Sequence, residues 1–535
     1  MPSLFDPLSY RYSSKRNLVL STNGMVATSH PLAAQAGLSV LRKGGNAVDA
    51  AIATAMSLTV LEPTSNGIGG DSFAQVWFDG DLYGLNSSGP SPNKISRSAL
   101  EKRGFHSMPK FGWEPVTVPG IPAAWAELSS RFGVLSLRDV AGPAIDYAER
   151  GYPIQPTLGK YWRKAYNVYS GLEGVLFESW LDTFTLDGEP PQVGDVWRSL
   201  DHAETLRSIA KTDANSFYQG KLAEKIDQFS RETGGFLRGS DLSSFEPKWV
   251  DPITVNYRGY DVWELPPNGQ GLVSLIALNI LSEYDLNPLM AADYCHKQIE
   301  SIKLAFMDGK KYITDPKYMD VSYEEFLGRD CTLKRKKQIG EGVMEPEGKH
   351  PGEKGTVYLA TADGQGNMVS YIQSNYMGFG SGLVVPGTGI ALQNRGNTFS
   401  LDPGDANSLE PGKRTYHTII PGFLTKGNRP IGPFGVMGGY MQPQGHLQLL
   451  CNILDRGLNP QSALDAPRWR WDEGKKVEVE QWFPRYLAEA LDWRGHKIGV
   501  ALDSGSFGRG QMIWKDEKVL FGATEPRTDG CVASY

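Results

Sequence analysis

The chain has 535 residues, 40% hydrophobic and 21% charged, which is ordinary globular usage and excludes a disordered or collagen-like protein. Its 54 Lys and Arg against 60 Asp and Glu give a net charge of −6, so the basic footprint of a nucleic-acid or anionic-membrane binder is missing. The 61 glycines exceed the usual share of about 7% and specify many turns or close backbone approaches.

Met1 to Ser21 is polar and broken by Pro2, Pro7 and Arg11, without the apolar centre of a secretory leader. Pro31–Val60 reads as two helices. Gly44 and Gly45 stop the first, and Asn46 caps a second that is apolar or small on every side. Its run from Ala50 to Val60 is too short to span a bilayer. A cytoplasmic protein without membrane contact is expected. Strands follow at Phe73–Phe78 and Leu82–Leu85 around an Asp79-Gly80 turn. The middle of the chain is helical in pattern: Ala123–Arg131, Leu137–Arg150, Ala203–Thr212, Gly271–Tyr284 and Tyr294–Tyr312. Lys334 to Lys337 reads as a solvated helix face. Residues 340–355, rich in Gly, Glu, Pro and Lys, have the composition of a flexible linker. The linker ends at a hairpin, Thr356–Ala362 and Met368–Ser374, joined by Asp363-Gly-Gln-Gly-Asn367. Helices are expected at His446–Asp455 and Leu487–Trp493.

Four cysteines, Cys295, Cys331, Cys451 and Cys531, lie far apart without a paired framework and read as reduced thiols. The eight histidines are not paired at helical spacing, so neither a local metal site nor any other cofactor is expected. Zincin, P-loop and nucleophile-elbow motifs are absent.

The chemistry points to Gly355-Thr356. A threonine hydroxyl is a poor nucleophile at neutral pH. An N-terminal threonine carries its own base, an α-amine of reference pKa about 7.7–8.0. An internal threonine gains that amine only if the preceding peptide bond is cut. Glycine upstream leaves room for the hydroxyl to attack its own carbonyl. From composition alone, Gly355-Thr356 reads equally as a plain strand start.

Several stretches occur in one order along the chain: His30 to Gly37, Gly44 to Ala51, Gly69-Gly70, Val118-Pro-Gly120, Leu265 to Gly271, Gly364 to Ser370, Phe379 to Gly382, Gly438-Gly439, and Gly522 to Arg527. Together they resemble the γ-glutamyltranspeptidase family of N-terminal-nucleophile hydrolases over most of the length. The resemblance implies an α+β fold, a four-layer αββα sandwich made as one precursor. It implies cleavage before Thr356 into a large subunit, 1–355, and a small one, 356–535, which stay associated as one structural domain. Thr356 would serve as nucleophile, and Ser374 would hydrogen-bond it. Gly438 and Gly439 would supply oxyanion-hole N–H groups, where an ordinary tight turn is the plainer reading. The implied activity is that of a γ-glutamyltransferase, glutathione hydrolase or glutaryl (cephalosporin) acylase. The implied partners are a small amide and an amine, peptide or water acceptor. A non-catalytic homologue that keeps the fold is the alternative.

The acyl pocket departs from the family pattern. Asn86 stands where the family has an arginine for the substrate α-carboxylate, and His417-Thr418 replaces a serine pair. Tyr376, Arg395 and Thr398 occupy the positions that hold the α-ammonium, and Val357 follows the nucleophile in place of a threonine. An ammonium stripped of water needs an anionic partner, which Thr398 cannot be, and Arg395 repels it. Arginine's planar fork suits a carboxylate, so the expected substrate is a glutaryl-type amide. Arg395 reads otherwise as a structural ion-pair partner. Tyr376 and His417 read as pocket wall, or His417 as a satisfied buried histidine.

Overall fold

The computed structural model describes residues 16–286, 290–346 and 355–535. Its core is two seven-stranded sheets, antiparallel at each pairing. In chain order the strands are β1 (Val19–Ser21), β2 (Gly24–Thr28), β3 (Asp71–Phe78), β4 (Asp81–Ser87), β5 (Lys248–Val250), β6 (Ile253–Tyr257) and β7 (Tyr260–Glu264). After the expected cleavage point come β8 (Val357–Asp363), β9 (Met368–Ser374), β10 (Gly422–Lys426), β11 (Arg429–Met437), β12 (Arg509–Asp516), β13 (Val519–Thr524) and β14 (Cys531–Ser534). One sheet runs β1-β13-β12-β11-β10-β7-β6 and the other β14-β2-β8-β9-β3-β4-β5. Each therefore mixes strands from both sides of Thr356.

Period-two burial sets the layers. In β8, Val357 and Leu359 join the core beneath the helices Ala47–Leu61 and Ile121–Phe132. Tyr358, Ala360 and Ala362 face the second sheet, beside Phe423, Met437 and Ile513. The second sheet is covered in turn by Gly271–Ser282, Ala291–Tyr312 and Met441–Leu454. Helix, sheet, sheet, helix is the αββα order that the resemblance implies. All seven residues of β8 are buried, and its sequence is apolar on both faces except for the hydrogen-bonded Thr361 and Asp363.

Local chemistry explains the elements that place the site. Asn46 accepts from Val48 N and Asp49 N, and Asp49 reaches back to Asn46 N, a reciprocal cap on a helix buried along its whole length. Asp79 and Gly80 both take positive φ (51° and 95°), the turn that closes β3 onto β4. Asp363 accepts from Gln365 N, Asn367 N and Asn367 Nδ2 to shape the β8–β9 turn, and from Ala47 N to pin that turn to the capped helix. Arg527, at the end of the Gly522 to Arg527 stretch, is an ion-pair partner of Glu480 and Glu525. That motif is a buried structural network.

Three expectations need correction. The helix expected at His446 starts at Met441, because Pro443 falls in the first turn, where no N–H is needed. The Lys334–Lys337 run is not wholly solvated: Arg335 is buried against Asp308, and Lys336 donates to the Glu283 carbonyl. The first part of the expected linker is held to helix Ala291–Tyr312. His296 Nε2 and Lys297 Nζ donate to the Gly340 carbonyl (3.1 and 3.3 Å), and Lys303 and Glu300 grip both backbone groups of Met344 (2.9 Å each). Residues 347–354 of that linker lie outside the described residues. His296 and His496, distant in sequence, meet at 3.0 Å. No described helix is long and apolar enough to cross a membrane.

Candidate active site

Thr356 immediately precedes β8 and is 1% exposed. Its Oγ1 lies 2.7 Å from the Gly355 carbonyl oxygen and 3.2 Å from Ser374 Oγ, at the end of the paired strand β9. Ser374 Oγ lies 2.7 Å from the same carbonyl and accepts from Tyr376 N at 2.7 Å. One proton per hydroxyl decides the roles. If Ser374 donates to the carbonyl, Thr356 donates to Ser374, and a Thr356 lone pair is left toward the Gly355 carbonyl. Gly355 is required by space: a Cβ there would meet Ser65 Cα at 2.8 Å and Gly378 N at 3.0 Å.

From Ser374 a chain of contacts leads to the other expected residues. Tyr376 takes φ 76°, unusual for a side chain of its size, and its ring lies 4.2 Å beneath the Arg395 guanidinium. Arg395 is fully buried. Its Nη1 donates to Thr418 Oγ1 at 2.7 Å, while Nε and Nη2 find no hydrogen-bond partner among the described residues. Burial pulls its pKa down, and the charges of Asp71 and Tyr440 oppose that pull. No carboxylate of the described residues pairs with it directly, which disfavours the structural ion-pair reading. Thr398 turns its hydroxyl to the Arg395 and Tyr416 carbonyls and to Thr415, so it caps the backbone that carries Arg395.

His417 is a satisfied buried histidine. Its Nδ1 accepts from Ile419 N at 3.3 Å, which places the proton on Nε2 for donation to Asp71 Oδ2 at 3.2 Å. Burial, then the charge of Arg395, holds it neutral. Asn86 spends its amide on Asn268 and Ser88 (2.9, 3.0 and 2.7 Å).

Gly438 and Gly439 directly follow β11 with φ of 140° and 61°, and a Cβ on Gly438 would press on Gly508 Cα at 3.2 Å. Upstream in the same strand, Gly435 lies against Tyr358, two residues beyond Thr356. Gln270 Nε2 bridges the Thr418 and Gly439 carbonyls (2.6 and 2.8 Å), tying the glycine turn to the segment that anchors Arg395.

Two residues of this site escape sequence reasoning. Asp71 accepts from Gly89 N, Gln393 and His417, and its charge acts on Arg395. Gln270 is the bridge just described. Both sit inside or beside quoted stretches, Gly69-Gly70 and Leu265–Gly271. Neither residue type announces chemistry of its own.

Comparison with known proteins decides the family. The gamma-glutamyltranspeptidase family model matches residues 33–535. The chain belongs to the γ-glutamyltranspeptidase family. It is 35% identical to the glutathione hydrolase-like YwrD proenzyme of Bacillus subtilis (96% of this chain, 98% of that protein). It is 32% identical to the oxamate amidohydrolase proenzyme of Klebsiella pneumoniae (96% and 99%). The crystal structure of a cephalosporin acylase from Bacillus halodurans superposes with a TM-score of 0.95 at 59% identity, covering 99% of each chain. The γ-glutamyltranspeptidase family thus supplies both the N-terminal-nucleophile sandwich and the enzyme class, a hydrolase or acyltransferase. The non-catalytic alternative is set aside.

Proposed function

We propose that this protein cleaves itself before Thr356 and then hydrolyses or transfers an acyl group that ends in a carboxylate. The observation that carries the reading is the Thr356–Ser374–Gly355 triangle, with all three contacts between 2.7 and 3.2 Å. In processing, Thr356 Oγ attacks the Gly355 carbonyl carbon as its proton passes to Ser374, whose own proton steadies the developing oxyanion. The Gly355–Thr356 C–N bond breaks, the Thr356 nitrogen gains a proton, and an ester joins Gly355 to Oγ. Water hydrolyses the ester, leaving a Gly355 carboxylate and a free α-amine. The products are 1–355 and 356–535, which remain interleaved.

In turnover that amine takes the hydroxyl proton and Oγ adds to the substrate amide carbon. The N–H groups of Gly438 and Gly439 receive the oxyanion, each donor worth about 2.7–4 kcal/mol. The amide C–N bond breaks, the departing nitrogen takes the proton, and an acyl-ester remains for water or an amine. Arg395, fully buried and with two nitrogens that find no partner among the described residues, is the carboxylate receptor for the acyl end. Tyr376 supports its fork from below, and Thr418 holds its third nitrogen. This favours a glutaryl-type acyl group over a γ-glutamyl one. The oxamate amidohydrolase name of one relative agrees with an acyl group that lacks an α-ammonium.

A denaturing gel and intact mass test the first half. Wild type is expected to give chains of about 39 and 20 kDa, the 58.8 kDa total divided at Gly355–Thr356, while Thr356→Ala stays whole. Comparing glutaryl- and γ-glutamyl-p-nitroanilide tests the second half. A clear preference for the γ-glutamyl compound sinks the pocket assignment.

A further inference from the structure

The two histidines that meet beside the linker belong to a cluster that shares no residue with the site at Thr356. His296 and Glu300 lie four residues apart on helix Ala291–Tyr312 and so project from one face. Gly495, at φ 111°, ends helix Arg485–Arg494 and turns the chain, and the His496 N–H bonds the Leu491 carbonyl at 3.2 Å. That turn delivers the His496 ring to His296. All three side chains are buried, His296 and Glu300 at 0% and His496 at 1% exposed. One nitrogen or oxygen of each lies within 4.8 Å of the other two.

The donor atoms are held in orientation by their surroundings. His296 Nε2 donates to the Gly340 carbonyl at 3.1 Å, so Nδ1 keeps its lone pair and turns it to His496 Nε2 at 3.0 Å. A backbone carbonyl on the far ring nitrogen is the usual support of a metal-binding histidine. Burial holds both rings neutral, His296 down to about 4 and His496 to about 3, the form in which imidazole ligates. If the rings only share a hydrogen bond, His496 donates from Nε2 and its Nδ1 is a buried lone pair without a partner among the described residues. With an ion between the rings, that proton sits on Nδ1 and Nε2 ligates. The Glu300 carboxylate has about four lone-pair positions. Met344 N takes one on Oε2 at 2.9 Å, and Lys303 Nζ lies 2.8 Å from Oε1.

We propose that His296 Nδ1, His496 Nε2 and a Glu300 oxygen bind one divalent cation of the imidazole-seeking class, with Zn²⁺ as the type. Two nitrogens on a tetrahedral Zn²⁺ at 2.0–2.1 Å lie roughly 3.3–3.4 Å apart, so the rings need part by only a few tenths of an ångström. Lys297, Lys303 and Arg494 bring positive charge to the rings, and each has an acceptor: the Gly340 carbonyl, Glu300 with the Met344 carbonyl, and Asp293. Mg²⁺ and Ca²⁺, which need several oxygens, find one carboxylate and three cations there. An ion that draws its affinity from nitrogen is favoured over them. His296 and Glu300 precede Thr356 and His496 follows it, so the ion joins the two parts of the chain and fixes the linker backbone at Gly340 and Met344. The site needs no cut between them.

The test uses the full-length protein as purified, stripped with a chelator and with its accessible thiols blocked. Calorimetry with ZnCl₂ is expected to show one saturable equivalent. At 100 times the Kd, Zn²⁺ should raise the thermal midpoint by about 2 °C, and MgCl₂ should not. His496→Gln and Glu300→Gln should each weaken Zn²⁺ binding by about tenfold or more. If neither variant folds, wild-type crystals soaked in Zn²⁺ serve instead, with an anomalous peak expected about 2.0–2.1 Å from both His296 Nδ1 and His496 Nε2. Absence of saturable binding, equal binding by His496→Gln, an equal shift with Mg²⁺, or an anomalous peak only at other residues overturns the proposal.

Discussion

Replacing Ser374 with alanine tests whether its hydroxyl serves the reaction or only the fold. Its oxygen stands 2.7 Å from the Gly355 carbonyl, held in place by the Tyr376 N–H. An ordinary intramolecular hydrogen bond nets about 0.5–1.5 kcal/mol, or roughly 2- to 13-fold if all of it appears in the rate. A fixed donor aimed at charge that develops in the transition state is worth about 2.7–4 kcal/mol, or 10²–10³-fold. The two cases are separable. The Ser374→Ala chain, made by pulse-labelled cell-free synthesis and followed on denaturing gels, should convert to two fragments about 10²–10³ times more slowly than wild type. Its thermal midpoint should fall by no more than a few degrees, as for loss of one hydrogen bond. Slowing of less than about tenfold would refute the relay and leave Ser374 as a packing residue.

Arg395→Gln removes the fork without emptying the pocket. It should lower kcat/KM for glutaryl-p-nitroanilide by about 10–150-fold, the worth of a charged hydrogen bond, and change the γ-glutamyl compound less; equal losses on both would contradict the assignment. Burial raises the Asp71 carboxyl to about 7, while Arg395 and the donors Gln393 and Gly89 pull it down. Below that pH Asp71 is neutral and no longer offsets Arg395; above it, its negative charge opposes an arriving carboxylate. Glutarate, as a competitive inhibitor, should therefore bind more tightly as pH falls from about 8 to 6, and Asp71→Asn should flatten the profile. A flat wild-type profile would rule this out. Cys295 and Cys451 are buried, and burial pushes both thiols up to about 12. A thiol reagent at pH 8 should reach only Cys331 and Cys531 until denaturant is added; rapid labelling of all four would show an opened core.

Local chemistry made much of this legible. Met368–Ser374 is the return strand of the expected hairpin, Asn46 caps its helix, and the Asp363–Asn367 turn follows from Asp and Gly chemistry. Arg395 was legible because it stands, with Thr398 in place of an acid, where the family holds an ammonium. The rest depends on long-range pairing, which leaves no periodic trace. Asp71 faces His417 from 346 positions away, and Gln270 reaches Gly439 from 169. His296 meets His496 from 200 positions away. The hold of helix Ala291–Tyr312 on Gly340 and Met344 was hidden because linker composition says nothing of what lies beside it.

The strand order also sets a clock. The sheet that faces β8 is finished by β12 and β13, residues 509–524, and β13 pairs with β1 at residues 19–21. The opposite sheet is closed at its edge by residues 531–534 lying on residues 24–28. Residues 509–534 therefore complete sheets begun by residues 19–28. A nascent chain that has already exposed Gly355-Thr356 still lacks the opposing wall of the site. Under the proposed processing, a chain truncated before residue 509 is expected to stay uncut, because the strands that complete both sheets are missing.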